Sequence, residues 1–318
     1  MFKINNKFRL TLILIVNMTM SSSVLAADVS VEMRSRLLNV LTNQEVESYL
    51  DRNDIIFIPV GVTEMHGALP LDSEAVLPQA FALKMAEQVD GLVLANLPYF
   101  YAGATTNGRG TVQVSVRDGI DYLQKIAHSL LRQGFRRQVY ISFHNPAHLT
   151  VSPVVRDFFD ETSVPILYID LAHVTRTRHP DLFKSREDMY SVFFAAYDML
   201  GRLNDIPLTT EATDRSAPSG KDFTTLSKTF SGLAPSSGAI GYYFPRHTDH
   251  GLTPVVETAE QRKTLADAGK SKVDVILAEL NTPLLLERLH QLDEYLQSKV
   301  TPRYGDLLPG NYKHAQSN

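Results

Sequence analysis

The stretch that decides the fold lies at residues 55–67 and reads IIFIPVGVTEMHG. Its first half, Ile55–Val60, is a continuous apolar run of strand length that ends at Gly61. An apolar run bounded by a turn signal is typical of a strand that helices cover on both faces. Its second half carries Glu64 and His66 just past the strand end, where open α/β sheets place their ligand crevices. The stretch therefore predicts a buried strand with a site at its carboxyl end.

Strand-like and helix-like segments alternate through the first half of the chain. The predicted strands are Ile55–Val60, Gly91–Leu97, Gln138–Phe143 and Val164–Asp170. The predicted helices between them are Glu74–Val89, Asp118–Gln133 and His148–Phe159. This alternation predicts a single α/β domain with a largely parallel central sheet flanked by helices.

The later part of the chain is less regular. The predicted helices there are Met189–Leu203, a capped helix from Thr258 to about Leu280, and a last helix from Thr282 through Gln297. Between them, Asp205–Ser237 is rich in Thr, Ser, Pro and Gly, which predicts a long, lid-like loop that could carry specificity. The domain is expected to span residues 27–308, with a mobile tail at residues 309–318.

The first 26 residues have the three parts of a secretory signal peptide. Basic residues come first, the apolar run Leu10–Val16 follows, and small residues then lead to Ala26. The apolar run is well short of the ~20 residues that a membrane-spanning helix needs. We therefore expect cleavage after Ala26, a periplasmic or secreted protein, and no membrane attachment of the mature chain.

Composition and charge narrow the classes of function. The chain of 318 residues has no cysteine, which excludes disulfides, thiolate metal sites and cysteine nucleophiles. Removal of residues 1–26 takes away three basic residues and leaves 28 Lys and Arg against 35 Asp and Glu, a formal net charge of −7. A net-acidic protein without a basic cluster is a poor binder of nucleic acid. A small-molecule partner is expected instead.

Signatures of several other enzyme classes are absent from the sequence. It has no Gly-x-Ser-x-Gly elbow of a serine hydrolase and no His-Glu-x-x-His helix of a zinc protease. The glycines of Gly103–Gly110 lack the Gly-Lys-Ser/Thr ending of a phosphate-binding loop, so this segment is interpreted as a turn.

Carboxylate and imidazole side chains follow two of the predicted strands. Glu64 and His66 lie past the first strand, Asp72 and Glu74 come soon after, and His144 lies past the third. Such a set suits a divalent ion such as Zn²⁺ or Mn²⁺. The alternative is that both histidines are hydrogen-bonded loop residues, and the residue pattern alone leaves the two interpretations open.

The first of these segments resembles the signature of the creatininase family. The matching residues are Pro59-Val60-Gly61, Glu64, His66-Gly67 and Leu69-Pro70. Weaker similarity at Gly110–Val112, Ile141–Ala147 and Gly238–Tyr243 extends the resemblance over about residues 36–280. It implies a creatininase-like fold, a homo-oligomer, two divalent ions, and hydrolysis of small amides, often cyclic amides or formamides, by metal-activated water.

The resemblance also implies a role for each matching residue. Glu64 would bind one ion and His66 the other. Glu74 would be the carboxylate shared by both ions, with Asp72 as second choice. His144 matches the histidine of the family's second loop.

The sequence departs from the family pattern at several places. A histidine expected after Gly67 is absent, and Asn145–Ala147 replaces the glycine-glycine-asparagine of the second loop. By position, the last acidic element of the family falls near Glu187 and Asp188, which makes Asp188 a candidate ligand.

The sequence therefore leaves open which residue transfers protons and which residues are the remaining metal ligands. The candidate catalytic residues are His148, His173 and Glu187. His247 and His250 could be ligands, although their polar, loop-like setting is more typical of solvated residues or substrate contacts. These departures keep a second hypothesis in view: a catalytically silent relative that binds a small molecule or a partner.

Overall fold

Four parallel strands form the central sheet of the computed structural model. They are β1 (Ile55–Pro59), β2 (Leu92–Val93), β3 (Arg137–Ser142) and β4 (Leu167–Asp170), in the spatial order β2–β1–β3–β4. The central pair β1 and β3 is in register from Ile55 opposite Arg137 to Pro59 opposite Ile141. Because the strands are parallel, their carboxyl ends meet at one edge of the sheet.

The structure describes residues 33–95, 97–209, 228–229, 233, 240–244, 250 and 254–309. The predicted signal peptide, most of the predicted loop Asp205–Ser237 and nearly all of the predicted tail lie outside these residues. Among the described residues, no helix is both long enough and apolar enough to cross a membrane.

Helices cover both faces of the sheet. In the described residues they are α1 (Asn43–Leu50), α2 (Ser73–Gln88), α3 (Val116–Gln133), α4 (His148–Thr162), α5 (Leu171–Arg178), α6 (Arg186–Met199), α7 (Ala259–Leu280), α8 (Thr282–Tyr295) and α9 (Thr301–Tyr304). Short 3₁₀ turns and one π-helical turn, Leu296–Val300, connect or extend them. The predicted α/β architecture with a parallel sheet is confirmed.

Two strands are shorter than predicted. β2 keeps only two residues of the predicted run, Leu92 and Val93. β4 begins at Leu167 rather than Val164, just after Pro165 and Ile166. In β4, Pro165 has no backbone N–H to donate, which accounts for the later start.

Helix α6 begins three residues before its predicted start because a capping box sets its first turn. The Ser185 side chain accepts a hydrogen bond from the Asp188 N–H, and the Asp188 carboxylate accepts one from the Ser185 N–H. α6 packs closely on α7 at Gly269, where a Cβ would lie 1.9 Å from the carbonyl oxygen of Ser191. Helices α2, α6 and α7 share one hydrophobic core with the strands of the sheet.

Candidate metal centre

The chain leaving β1 is held close to the first turn of α2. The Gly61 N–H donates to the Leu97 carbonyl at 3.0 Å, and the Glu64 N–H donates to the Leu71 carbonyl at 2.9 Å. A Cβ on Gly61 would lie 2.5 Å from the Cα of Ala75, so only glycine permits this approach. The close approach brings Glu64 and Glu74 into one buried space.

The first group of potential ligands contains Glu64, Glu74 and His144. One oxygen or nitrogen of each lies within 4.8 Å of the others, and all three side chains are buried. The His144 Nδ1 is 3.4 Å from Glu64 Oε1 and forms a hydrogen bond with Glu74 Oε2. The edges of β1 and β3 and the start of α2 each contribute one member.

The second group contains His66, Glu74 and His250, again with ligand atoms within 4.8 Å of one another. His66 Nδ1 is 3.8 Å from Glu74 Oε1, and the rings of His66 and His250 are 4.9 Å apart. Glu74 belongs to both groups and turns a different carboxylate oxygen to each. The arrangement is that of a carboxylate shared between two neighbouring cation sites.

Neighbouring polar groups orient the potential ligands. The His144 Nε2–H donates to the Tyr101 carbonyl at 2.9 Å, which points Nδ1 at the two carboxylates. The Thr105 hydroxyl donates to Glu64 Oε2, and the Ser73 hydroxyl lies 3.0 Å from His66 Nδ1. Such supporting hydrogen bonds fix the orientation of ligating side chains in metal sites.

The buried groups shift one another's pKa values. Burial alone would lower the pKa of His144, but the charges of Glu74 and Glu64 raise it to about 10. Burial raises the pKa of Glu74, and the charge of Glu64 raises it further. Burial and the charge of His250 lower the pKa of His66 to about 3. Burial works to raise the pKa of Glu64, but His144 and His250 hold it well below its ordinary range.

Two buried atoms show that these residues fit a divalent cation. Glu64 Oε1 and His250 Nε2 have no hydrogen-bond partner among the described residues, and they lie 3.7 Å apart. A buried polar atom without a partner costs free energy that a bound cation would offset. The donor set of carboxylate oxygens and imidazole nitrogens is one that Zn²⁺ and Mn²⁺ accept.

The structure places the two other predicted ligands in structural contacts. Asp72 accepts a hydrogen bond from the Tyr197 hydroxyl at 2.5 Å and pairs with Arg202 at 2.9 Å. Asp188 caps α6 and pairs with Lys272 at 3.2 Å. Neither belongs to a ligand group within the described part of the chain. Of the two candidates for a shared carboxylate, Glu74 is the one that belongs to the ligand groups.

The predicted catalytic residues are separated in the structure. His148 lines the cavity that Glu64, Glu74, His144 and His250 also line. His173, on α5, and Glu187, in the first turn of α6, are exposed and do not line it.

The residue that sequence reasoning placed least firmly is His250. In the sequence, only the pair His247 and His250 indicates a possible ligand there, because no short spacing relates His250 to Glu74. His247 lies outside the described residues.

The cavity above the ligand groups has a volume of about 500 Å³. Its walls are the segment Tyr101–Thr105, the start of α4 and the segment Ile240–Phe244. A cavity of this size, with convergent polar groups on one side, is typical of a site for a small molecule.

Comparison with known proteins places this site in a family. A model of the creatininase family, described as creatinine amidohydrolase, matches residues 39–196. The matched stretch contains Glu64, His66, Glu74 and His144, and the fold is shared with creatininase structures. The chain belongs to the creatininase family. His250 lies beyond the matched stretch.

Two curated relatives match part of the chain. The 3-dehydro-scyllo-inosose hydrolase of Thermotoga maritima is 29% identical over 158 residues, which cover 46% of this chain and 47% of that protein. The creatinine amidohydrolase of Pseudomonas putida is 29% identical over 118 residues, covering 35% of this chain and 45% of that protein. The chain thus spans about half the length of the curated relatives it matches.

Solved structures show the same creatininase fold over most of the chain. A protein from Bacteroides fragilis assigned to the creatinine amidohydrolases has a TM-score of 0.55 at 19% identity, covering 81% of this chain and 96% of its own. The manganese form of creatininase has a TM-score of 0.52 at 19% identity, covering 77% and 98%.

The contact of Ser73 with His66 predicts a role for this hydroxyl in metal binding. We expect Ser73→Ala to weaken divalent-ion binding at the His66 group by about tenfold, because the Ser73 hydroxyl can accept the Nδ1–H of His66 and so leave Nε2 to bind the ion. Isothermal titration with Zn²⁺ would measure the change. Ser191→Ala, which removes a buried hydroxyl bonded to a carbonyl of α6, is the control. Equal affinities in Ser73→Ala and wild type would contradict the role.

Proposed function

We propose that the protein is a metal-dependent amidohydrolase that cleaves a C–N amide, lactam or formamide bond of a small molecule. The observation that carries the proposal is the pair of ligand groups that share Glu74 at one side of the 500 Å³ cavity. The names of the two curated relatives point to different substrates, so family membership alone leaves the substrate open.

Each ligand residue has a defined task in this proposal. Glu64 and His144 would hold one divalent ion, His66 and His250 the other, and Glu74 both. Zn²⁺ or Mn²⁺ held there would supply a water that ionises near neutral pH and would polarise the substrate carbonyl.

His148 is the residue best placed to move a proton. A carbonyl oxygen only accepts, so the 2.8 Å contact with the Asn145 carbonyl puts a proton on His148 Nδ1. In the neutral ring, Nε2 is then the free acceptor, and it can take a proton and return it to a leaving amine. His148 also lies in the cavity wall together with His144.

A silent binding protein is the alternative that the altered second loop favours. Asn145 and Pro146 stand where the family has small, flexible residues, and both line the cavity. The same loop nevertheless leaves His144 in contact with both carboxylates. The completeness of the two ligand groups supports the enzyme over the silent relative.

Removal of one ligand from the first group should abolish turnover. We expect Glu64→Gln and His144→Ala to lose metal-dependent hydrolysis because each breaks the buried set around Glu74. The assay uses the protein supplied with Zn²⁺ or Mn²⁺ and a panel of creatinine, lactams and formamides. Metal analysis of the same samples should find two equivalents in the wild type and fewer in the variants.

Glu87→Gln, an exposed change on the same helix as Glu74, is the matched control and should keep wild-type activity. Near wild-type turnover in Glu64→Gln or His144→Ala would reject the assigned roles. Substoichiometric metal in the wild type after supplementation would reject the two-ion centre.

Loss of the His148 ring should affect turnover without affecting metal content. We expect His148→Gln to lower kcat by about 10²-fold or more, because general acid–base catalysis contributes on that order. His128→Gln, a half-buried histidine on α3 that pairs with Glu161, is the control. Unchanged kcat with full metal content would assign proton transfer to another group.

We also propose that residues 1–26 direct export to the periplasm and are then removed, and that the mature chain forms a homo-oligomer. The basic start, apolar run and small residues before Ala27 support the first part. Mass spectrometry of periplasmic protein should show Ala27 as the first residue, and light scattering of that sample gives its assembly state. A periplasmic chain that still begins at Met1, or its absence from the periplasm, would contradict this.

A further inference from the structure

The segment Tyr101–Asn107, here called the 101–107 turn, contacts the first ligand group at two points. Its Tyr101 carbonyl accepts the Nε2–H of His144, and its Thr105 hydroxyl donates to Glu64. Thr105 is fully buried, and its hydroxyl also contacts the Ala102 carbonyl, within the turn itself. The turn is therefore fixed against the ligands that come from the sheet edge.

The same turn binds a second segment of the chain through Phe244. The Phe244 N–H donates to the Ala104 carbonyl at 3.1 Å, and the Asn107 side-chain amide donates to the Phe244 carbonyl at 2.7 Å. Both polar backbone groups of Phe244 are thus bonded to the 101–107 turn. Asn107 and Phe244 are 137 residues apart in sequence, so these hydrogen bonds form a tertiary contact.

Phe244 in turn contacts His250, the candidate ligand that does not lie at the sheet edge. Its ring centroid lies 5.2 Å from that of His250, and the His250 ring centroid lies 4.9 Å from that of His66. His250 therefore contacts both a candidate ligand at the sheet edge and an aromatic ring that the 101–107 turn holds in place.

The ligands differ in how the fold supports them. Glu64, His66 and His144 follow strands, and Glu74 lies in the first turn of a helix that packs on β1. His250 follows no described strand or helix, and among the described residues outside the ligand groups it contacts the ring of Phe244. The second ligand group is therefore the one whose geometry depends on a contact away from the sheet.

We propose that Asn107 is a positioning residue for the second ligand group: by holding Phe244, it keeps His250 against His66 and Glu74. The inference rests on the proposed metal centre and adds that its second site depends on an exposed amide that touches no ligand. It follows that the two ions bind with separable affinities, and that changes at Asn107 affect only the second.

Titration calorimetry of the metal-free mature chain with Zn²⁺ tests the inference without an activity assay. We expect Asn107→Ala to leave the first equivalent within about twofold of wild type and to weaken the second about tenfold, the lower end of the effect of supporting residues on metal sites. Asn107→Asp keeps the size of the side chain but sets a carboxylate against the Phe244 carbonyl, so the second equivalent should weaken at least as much. Phe244→Leu, which keeps the backbone bonds and removes the aromatic ring, should weaken the second equivalent as well.

Asn43→Ala removes an exposed amide that bonds only to Glu47 on α1 and should bind both equivalents like the wild type. Equal affinities for both equivalents in Asn107→Ala and wild type would overturn the role of Asn107 alone. An equal loss at both equivalents, or a lower melting temperature in Asn107→Ala, would overturn it in favour of general structural support. Fewer than two equivalents in the wild type would overturn the two-ion centre and this inference with it.

Discussion

The structure depends on two carboxylates, Glu64 and Glu74, being buried side by side. Ionised carboxylates there need positive charge beside them, and their charges raise the pKa of His144, which favours the protonated imidazole that supplies it. Removal of His144 would leave two carboxylates side by side with little exposure to solvent. A divalent cation would also supply this positive charge, and it carries more charge than a protonated imidazole. It would also bond to Glu64 Oε1 and His250 Nε2, which have no hydrogen-bond partner among the described residues. The site is therefore a place where the fold itself favours a cation.

The fold meets this requirement with few elements. Parallel strands place Glu64 and His144 at one edge, and the glycine at position 61 lets the first turn of α2 approach closely enough to add Glu74. Burial of α2 between the sheet and α6 then fixes the helix that carries the shared carboxylate. The position of Glu74 follows from packing and not from any property of the side chain, and Asp72 is drawn instead to Tyr197 and Arg202 on α6 and beyond it.

The sequence predicts those parts of the fold and site that follow from local patterns. The strand runs, the helix caps and the strand-end residues Glu64, His66 and His144 are all local signals, and the structure brings these three residues together. The choice of Glu74 over Asp72 could not be made, because it depends on which side chain the tertiary packing turns inward. The later start of β4 and the earlier start of α6 depend on Pro165 and on the Ser185 capping box. His250 could be named only as a possible ligand, since its contacts with His66 and Glu64 join residues far apart in sequence.

The contribution of His250 also changes how the departures from the family pattern are interpreted. The second ligand group needs donor atoms close to Glu74 Oε1, and any segment of the chain can supply them. Loss of local family residues around Asn145–Ala147 therefore does not imply loss of the second group. The segment Ile240–Phe244 lines the cavity and also contacts His250 through Phe244. Because one segment serves both purposes, a substitution that reshapes the cavity wall there also moves a ligand. Under the proposed function, substrate preference and second-site affinity would be coupled, and a change selected for one is expected to alter the other.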